Sequence, residues 1–239
     1  KEVLDRFCHK KHNNMNIKLK YIFLILFLSI NGFAQNNYYR ILGGKPFDEE
    51  KYKTIKENVA KHGKVEEIIL KTEIKKDSII NYVKIGTVVL TPDGINPYED
   101  LEKLIGTKFK IEKFADENSK NFKNDYLNGK PTLINFWFTR CPPCIEELPT
   151  LNNLKEKYGD KVNFISITFD NQKTVEAFLK KNKYNFKHIP NSQKQIDELN
   201  ISSYPSNLIL DKNGIVKIAE SEIIEQNVAT IEKILDILL

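Results

Sequence analysis

The chain has 239 residues, 41% of them hydrophobic and 29% charged, which is enough to bury a core and excludes wholesale disorder. Its net charge of +5 does not mark a nucleic-acid binder: residues 1–34 hold six Lys or Arg against two acids, and the remainder is close to neutral. No basic stripe interleaved with aromatic residues follows.

In residues 1–34, Lys18 and Lys20 precede the apolar run Tyr21–Ile30 and then the small-residue stretch NGFAQ. The order positive, apolar, small predicts a secretory signal peptide, with Gly32 and Ala34 at positions −3 and −1 and Gln35 as the new N-terminus. The run falls short of the roughly 20 residues a membrane span needs, so an uncleaved anchor is the weaker alternative. No cysteine stands at the cleavage point, which argues against a lipid anchor. Met15 is the only methionine and the expected start; residues 1–14 are set aside from fold reasoning. Cleavage would remove Cys8, leaving Cys141 and Cys144 as one close pair in an oxidising compartment.

Residues 35–100 read as a small α+β extension without a cluster of chemistry-bearing side chains. Asp48–Ala60 predicts a helix, with acids in its first turn and Gly63 as a stop. Glu67–Ile74 and Ser78–Leu90 predict strands joined by the turn KKDS, with Ile79, Val83, Ile85 and Val89 alternating toward one face. TPDGINP (Thr91–Pro97) ends this region. A docking surface for client proteins is the role expected of it.

Residues 101–239 read as an α/β domain. Phe109–Phe114 predicts a strand and Asp116–Lys120 a turn. Thr132–Phe138 is a nearly unbroken apolar run, suited to a strand buried on both faces. Cys144–Tyr158 has helical spacing, Val162–Phe169 is a second buried strand, and Lys173–Lys183 and Ser192–Asn200 predict helices. Asn207–Leu210 and Ile215–Ile218 predict strands around the turn DKNG, and Ile223–Leu239 a closing amphipathic helix. Alternating strands and helices ending in a hairpin predict a mixed sheet with helices on both faces.

The sequence WFTRCPPCI (Trp137–Ile145) carries the chemistry. A Cys-x-x-Cys at a helix start places Cys141 beside unpaired backbone N–H groups that favour a thiolate, the form that attacks a disulfide. Cys144, one turn inside, can then resolve the mixed disulfide. Pro142 and Pro143 fit the first turn, where no N–H is needed, and stiffen the loop. An inert staple is a weak reading, because so short a loop constrains the unfolded chain little. Zinc would need two more ligands. Copper(I) held by the two thiolates and His188 remains open; His62 lies in the extension.

WFTRCPPC after an apolar strand, followed by EELPTLNNL and later SSYPSNLILDKNGIV, resembles the thioredoxin superfamily, and most closely the exported TlpA/ResA-type thiol–disulfide oxidoreductases. The resemblance spans residues 101–239 and implies a thioredoxin-like α/β fold carrying the α+β extension. It implies that Cys141 is the exposed nucleophile and Cys144 the buried resolving thiol. It places Pro205 as a cis-proline opposite the dithiol, with the Tyr204 backbone free to pair with an extended substrate. Glu147 matches the acid that ResA-type members hold near the site, in a tuning or proton-transfer role; Glu146 reads as a solvated neighbour. Asn135 stands where ordinary thioredoxins carry a buried acid, a departure shared with the TlpA/ResA branch. Trp137 matches the aromatic beside the dithiol. Arg140 replaces the usual Trp; a cation there should favour the Cys141 thiolate and make the couple more oxidising.

The resemblance further implies disulfide exchange with protein substrates in the reducing direction, with no small-molecule cofactor. It implies a membrane electron donor, and apocytochrome c as one client. The peroxidase pattern of proline and threonine leading to a lone peroxidatic cysteine is absent. The competing reading is a copper-binding or folding module without turnover.

Overall fold

The structure is a computed structural model that describes residues 35–42, 44–87, 96, 98–116 and 118–239. The signal-peptide reading, with Cys8, Met15, Gly32 and Ala34, lies outside the described residues, as does most of TPDGINP.

Two sheets form. The first runs β1 (Asn36–Ile41), β2 (Phe47–Asp48), α1 (Glu49–Ala60), β3 (Val65–Ile74) and β4 (Ser78–Thr87), with strand order β2-β1-β4-β3. Asp48 caps α1 by accepting from Lys51 N–H at 2.9 Å. The predicted alternation along β4 is not observed: Ile80 and Val83, of opposite parity, are its buried residues. Both faces of this sheet are covered in part, by α1 on β1, β3 and β4 and by the rest of the chain on β3. A bulge at Leu70 further shifts the register, with Ile69 opposite Val83 and Lys71 opposite Tyr82. The sequence pattern does not announce strands β1 and β2.

After α2 (Glu99–Glu102), Phe109–Phe114 does not form the expected strand. A 3₁₀ turn occupies Ile111–Lys113, and isolated bridges flank the segment, Lys108 with Ile215 on one side and Ala115 with Asn121 on the other. Ile111 and Phe114, three apart, share one face of this turn and bury, with Phe109 stacked on Phe114 at 5.5 Å.

The second sheet contains β5 (Thr132–Phe136), β6 (Asn163–Ile167), β7 (Lys187–Ile189), β8 (Ser206–Leu210) and β9 (Val216–Glu220), in the order β7-β6-β5-β8-β9. β5, β6 and β7 are parallel, and β8 and β9 antiparallel. Helices α3 (Pro142–Glu146), α4 (Leu148–Tyr158), α5 (Gln172–Leu179), α6 (Gln193–Glu198) and α7 (Glu225–Leu238) complete the unit. This is the thioredoxin-like arrangement that the resemblance implies. Successive strand residues serve opposite faces. Leu133, Phe164 and Ile209 join α4 and α7 in one core cluster, while Ile134, Ile165 and Leu208 join Ile111 and Phe114 in the other.

The two sheets share a core. β3 packs on β9 and α7, and Ile68 and Leu70 bury in the cluster of Ile231, Ile234 and Leu235. Lys84 of β4 pairs with Glu220 at the end of β9 at 2.7 Å.

Candidate active site

β5 ends at Phe136, and the chain turns through Trp137–Arg140 into a short helix whose N-cap is Cys141. Cys141 N–H donates to the Phe138 carbonyl at 3.1 Å, and Thr139 N–H to the Asp170 carboxylate at 2.7 Å. Pro142 and Pro143 fill the first helical positions, as their missing N–H groups allow. Cys141 and Cys144 form a disulfide with their Cα atoms 5.2 Å apart. The Cys144 N–H donates to Cys141 Sγ at 3.3 Å, so the helix start contributes a donor to the outer sulfur.

The outward-facing thiol expected at Cys141 is not seen. In the disulfide Cys141 is 2% exposed, against 0% for Cys144, because its sulfur is drawn toward its partner and that N–H. Arg140 and Pro142 are the exposed residues at the tip.

The helix expected over Cys144–Tyr158 begins two residues earlier and breaks at Glu147, which ends α3 and caps α4. Pro149 cannot donate back to Ile145, and its ring disfavours a straight continuation. The break leaves Glu146 exposed and buries Glu147 completely. Three donors meet the Glu147 carboxylate: Asn135 Nδ2 at 2.6 Å, Ile223 N–H at 2.8 Å and Asn207 Nδ2 at 3.3 Å. These bonds favour the charged form, but loss of solvation is the larger effect and pushes the carboxyl up to about 7.

The amides are themselves fully engaged. Asn135 Nδ2 also donates to Asn207 Oδ1 at 3.0 Å, Tyr184 OH donates to Asn135 Oδ1 at 2.6 Å, and Asn207 Nδ2 donates to the Ser221 carbonyl at 2.8 Å. Burial holds the Tyr184 phenol well above its usual range. Strand register explains why these groups meet. His188, Ser166, Asn135, Asn207 and Glu220 are successive partners across all five strands, one polar file under the dithiol helix.

His188 does not present the ligand atom that the copper reading needs. Its Nδ1 lies 2.6 Å from Ser166 Oγ and its Nε2 3.0 Å from the Tyr184 carbonyl, so both ring nitrogens are in use. Burial lowers its pKa. Among the described residues, no three His, Cys, Asp or Glu side chains converge to hold a metal ion.

Trp137 is fully buried in the cluster that holds both cysteines, against Phe178, Tyr184 and His188, and its indole N–H has no partner among the described residues. The Tyr204–Pro205 bond is cis. Pro205 is buried, while Tyr204 stands half-buried, edge-on to Phe138 at 5.5 Å and to Phe169 at 5.7 Å. Sequence reasoning missed Asn207, Tyr184 and the Ile223 N–H. An amide inside the apolar run SNLIL is a usable sign for Asn207; Tyr184 lies in a loop with no pattern around it.

The Redoxin family profile matches residues 104–235. The thiol–disulfide oxidoreductase ResA of Bacillus thuringiensis (strain Al Hakam) is 31% identical over 169 residues, 66% of this chain and 95% of ResA. The thioredoxin-like protein YneN of Bacillus subtilis (strain 168) is 32% identical over 93 residues, 37% of this chain and 55% of YneN. The crystal structure of StoA from Bacillus subtilis is similar over 54% of this chain and 98% of StoA, with 23% identity and a TM-score of 0.42. The chain belongs to the Redoxin family, within the TlpA/ResA-type thiol–disulfide oxidoreductases of the thioredoxin superfamily. It is a thiol–disulfide oxidoreductase.

Proposed function

We propose that this oxidoreductase is an exported reductant of protein disulfides that works through its CPPC dithiol. The observation that carries the reading is the Cys141–Cys144 pair at a helix start, one turn before a buried Glu147 held by Asn135, Asn207 and Ile223.

In the reduced protein the Cys141 thiolate attacks one sulfur of the substrate disulfide and expels the other as a thiolate. Cys144 then loses its proton, attacks Cys141 Sγ and releases the second substrate sulfur. Two electrons pass to the substrate, and the Cys141–Cys144 disulfide forms. A carboxyl at about 7 is matched to taking the Cys144 proton at neutral pH, and Glu147 fills that role. Tyr204 and Pro205 form the opposite wall, and Trp137 supports the loop from beneath. Arg140 adds positive charge at the exposed tip.

The reading of residues 1–34 as a signal peptide supports export. An oxidising compartment then requires a dithiol donor at the membrane to regenerate Cys141 and Cys144. Apocytochrome c is the client that the resemblance suggests. The test is insulin reduction by the dithiothreitol-treated protein. Wild type should act catalytically and Cys141→Ser should not; equal rates would contradict the proposal.

A further inference from the structure

Two contacts reach the site from residues outside the family-matching segment 104–235. Lys84, on the N-terminal sheet, pairs with Glu220 at 2.7 Å and stands 4.0 Å from Glu66. Tyr98, ahead of α2, lies near enough to Ser221, Glu222 and Glu147 for each of them to act on its phenol. Glu220, Ser221 and Glu222 are consecutive and lead directly to Ile223. Ser221 supplies the carbonyl that anchors Asn207, and Ile223 the N–H that meets Glu147. On the far side, Asn227 Oδ1 accepts from Ile224 N–H, and Asn227 Nδ2 donates to the Glu222 carbonyl, both at 2.8 Å. Segment 220–224 is thus a short wall over the buried carboxyl, pinned by α7 at one end and by the N-terminal region at the other.

We infer that the N-terminal region acts as a clamp on the dithiol's acid, with Lys84 of its sheet and Tyr98 of the following segment as positioning residues that hold segment 220–223 closed over Glu147. The inference rests on the reading of Glu147 as the group that serves Cys144. A loosened wall changes two things. It withdraws the Ile223 donor, and it admits water. Water donates in place of the amide, so the lost bond is made good while the burial is not. Burial is the dominant cause of the raised Glu147 pKa, so opening the wall lowers it. The other titratable groups in reach are Tyr184 under Asn135, Tyr98 and Glu222 on the wall, and Glu66, Lys84, Glu102 and Glu220 at the clamp. With Lys84 removed, Glu220 and Glu66 lose their shared cation and turn toward solvent, which favours opening.

The test is a ¹³C NMR titration of the oxidised full chain carrying ¹³Cδ-glutamate, with the Glu147 signal assigned by its loss in Glu147→Gln. Lys84→Met keeps the aliphatic stem, and Tyr98→Phe removes one oxygen, so the core is left alone. Each should lower the Glu147 midpoint by about half a unit or more, and the double variant should lower it further. A midpoint that stays put or rises in both variants overturns the clamp. Insulin reduction by wild type is run alongside: its absence would defeat the proposed function and still leave the titration readable.

Discussion

Asn135 Nδ2 donates to Glu147 Oε1 at 2.6 Å, so an amide on the central strand holds the acid that the helix break turns inward. Replacing this amide by a carboxyl sets two buried acids against each other. Asn135→Asp should fold at pH 5, where one proton is shared, and lose about 3 kcal/mol or more by pH 8, where both must ionise. Urea unfolding at the two pH values checks this; equal losses at both would contradict it.

Glu147 gives the wild type a pH signature of its own. Its carboxyl is raised from 4.5 to about 7. Between those values the folded protein keeps a proton that the unfolded chain has released. Stability therefore falls as pH rises through this window, by about 3 kcal/mol in all. His188 pulls the other way, since burial lowers its pKa and the unfolded chain takes up the proton first. The difference between wild type and Glu147→Gln isolates the carboxyl. The variant should gain on wild type from pH 5 to pH 8, read from denaturant midpoints.

The two cysteines should fail in different ways. Cys141→Ser should abolish exchange. Cys144→Ser should accumulate a mixed disulfide with the client, because nothing remains to attack Cys141 Sγ. Mass spectrometry of the non-reduced reaction distinguishes the two outcomes.

Arg140 stands exposed beside Cys141. Its loss in Arg140→Ala should raise the Cys141 pKa by about a few tenths of a unit, an effect that shrinks as salt is added. Thiolate absorbance near 240 nm in the reduced protein measures it. No rise at low salt would mean that Arg140 does not tune the thiol.

Much of the site could be read from residue order, because its chemistry is local. A Cys-Pro-Pro-Cys after an apolar strand marks a helix start, whereas the apolar spacing of Cys144–Tyr158 reads as one helix and hides the break at Glu147 that turns this acid inward. What escaped is long-range or too short to show a period. Asn207 matters only because β8 runs antiparallel to β5 with Asn135 opposite it. Ile223 contributes a backbone N–H that no side-chain pattern announces. β7 is three residues long and β2 two. Phe109–Phe114 carries apolar residues at positions that satisfy a strand or a 3₁₀ turn equally, and packing against the second core cluster decides it.

The reduction potential of the Cys141–Cys144 couple tests the central claim most directly. Equilibration of the full chain with dithiothreitol or glutathione buffers measures it. A protein-disulfide reductant should lie near the thioredoxin value of about −270 mV, and a potential near the strongly oxidising value of about −120 mV would contradict the account.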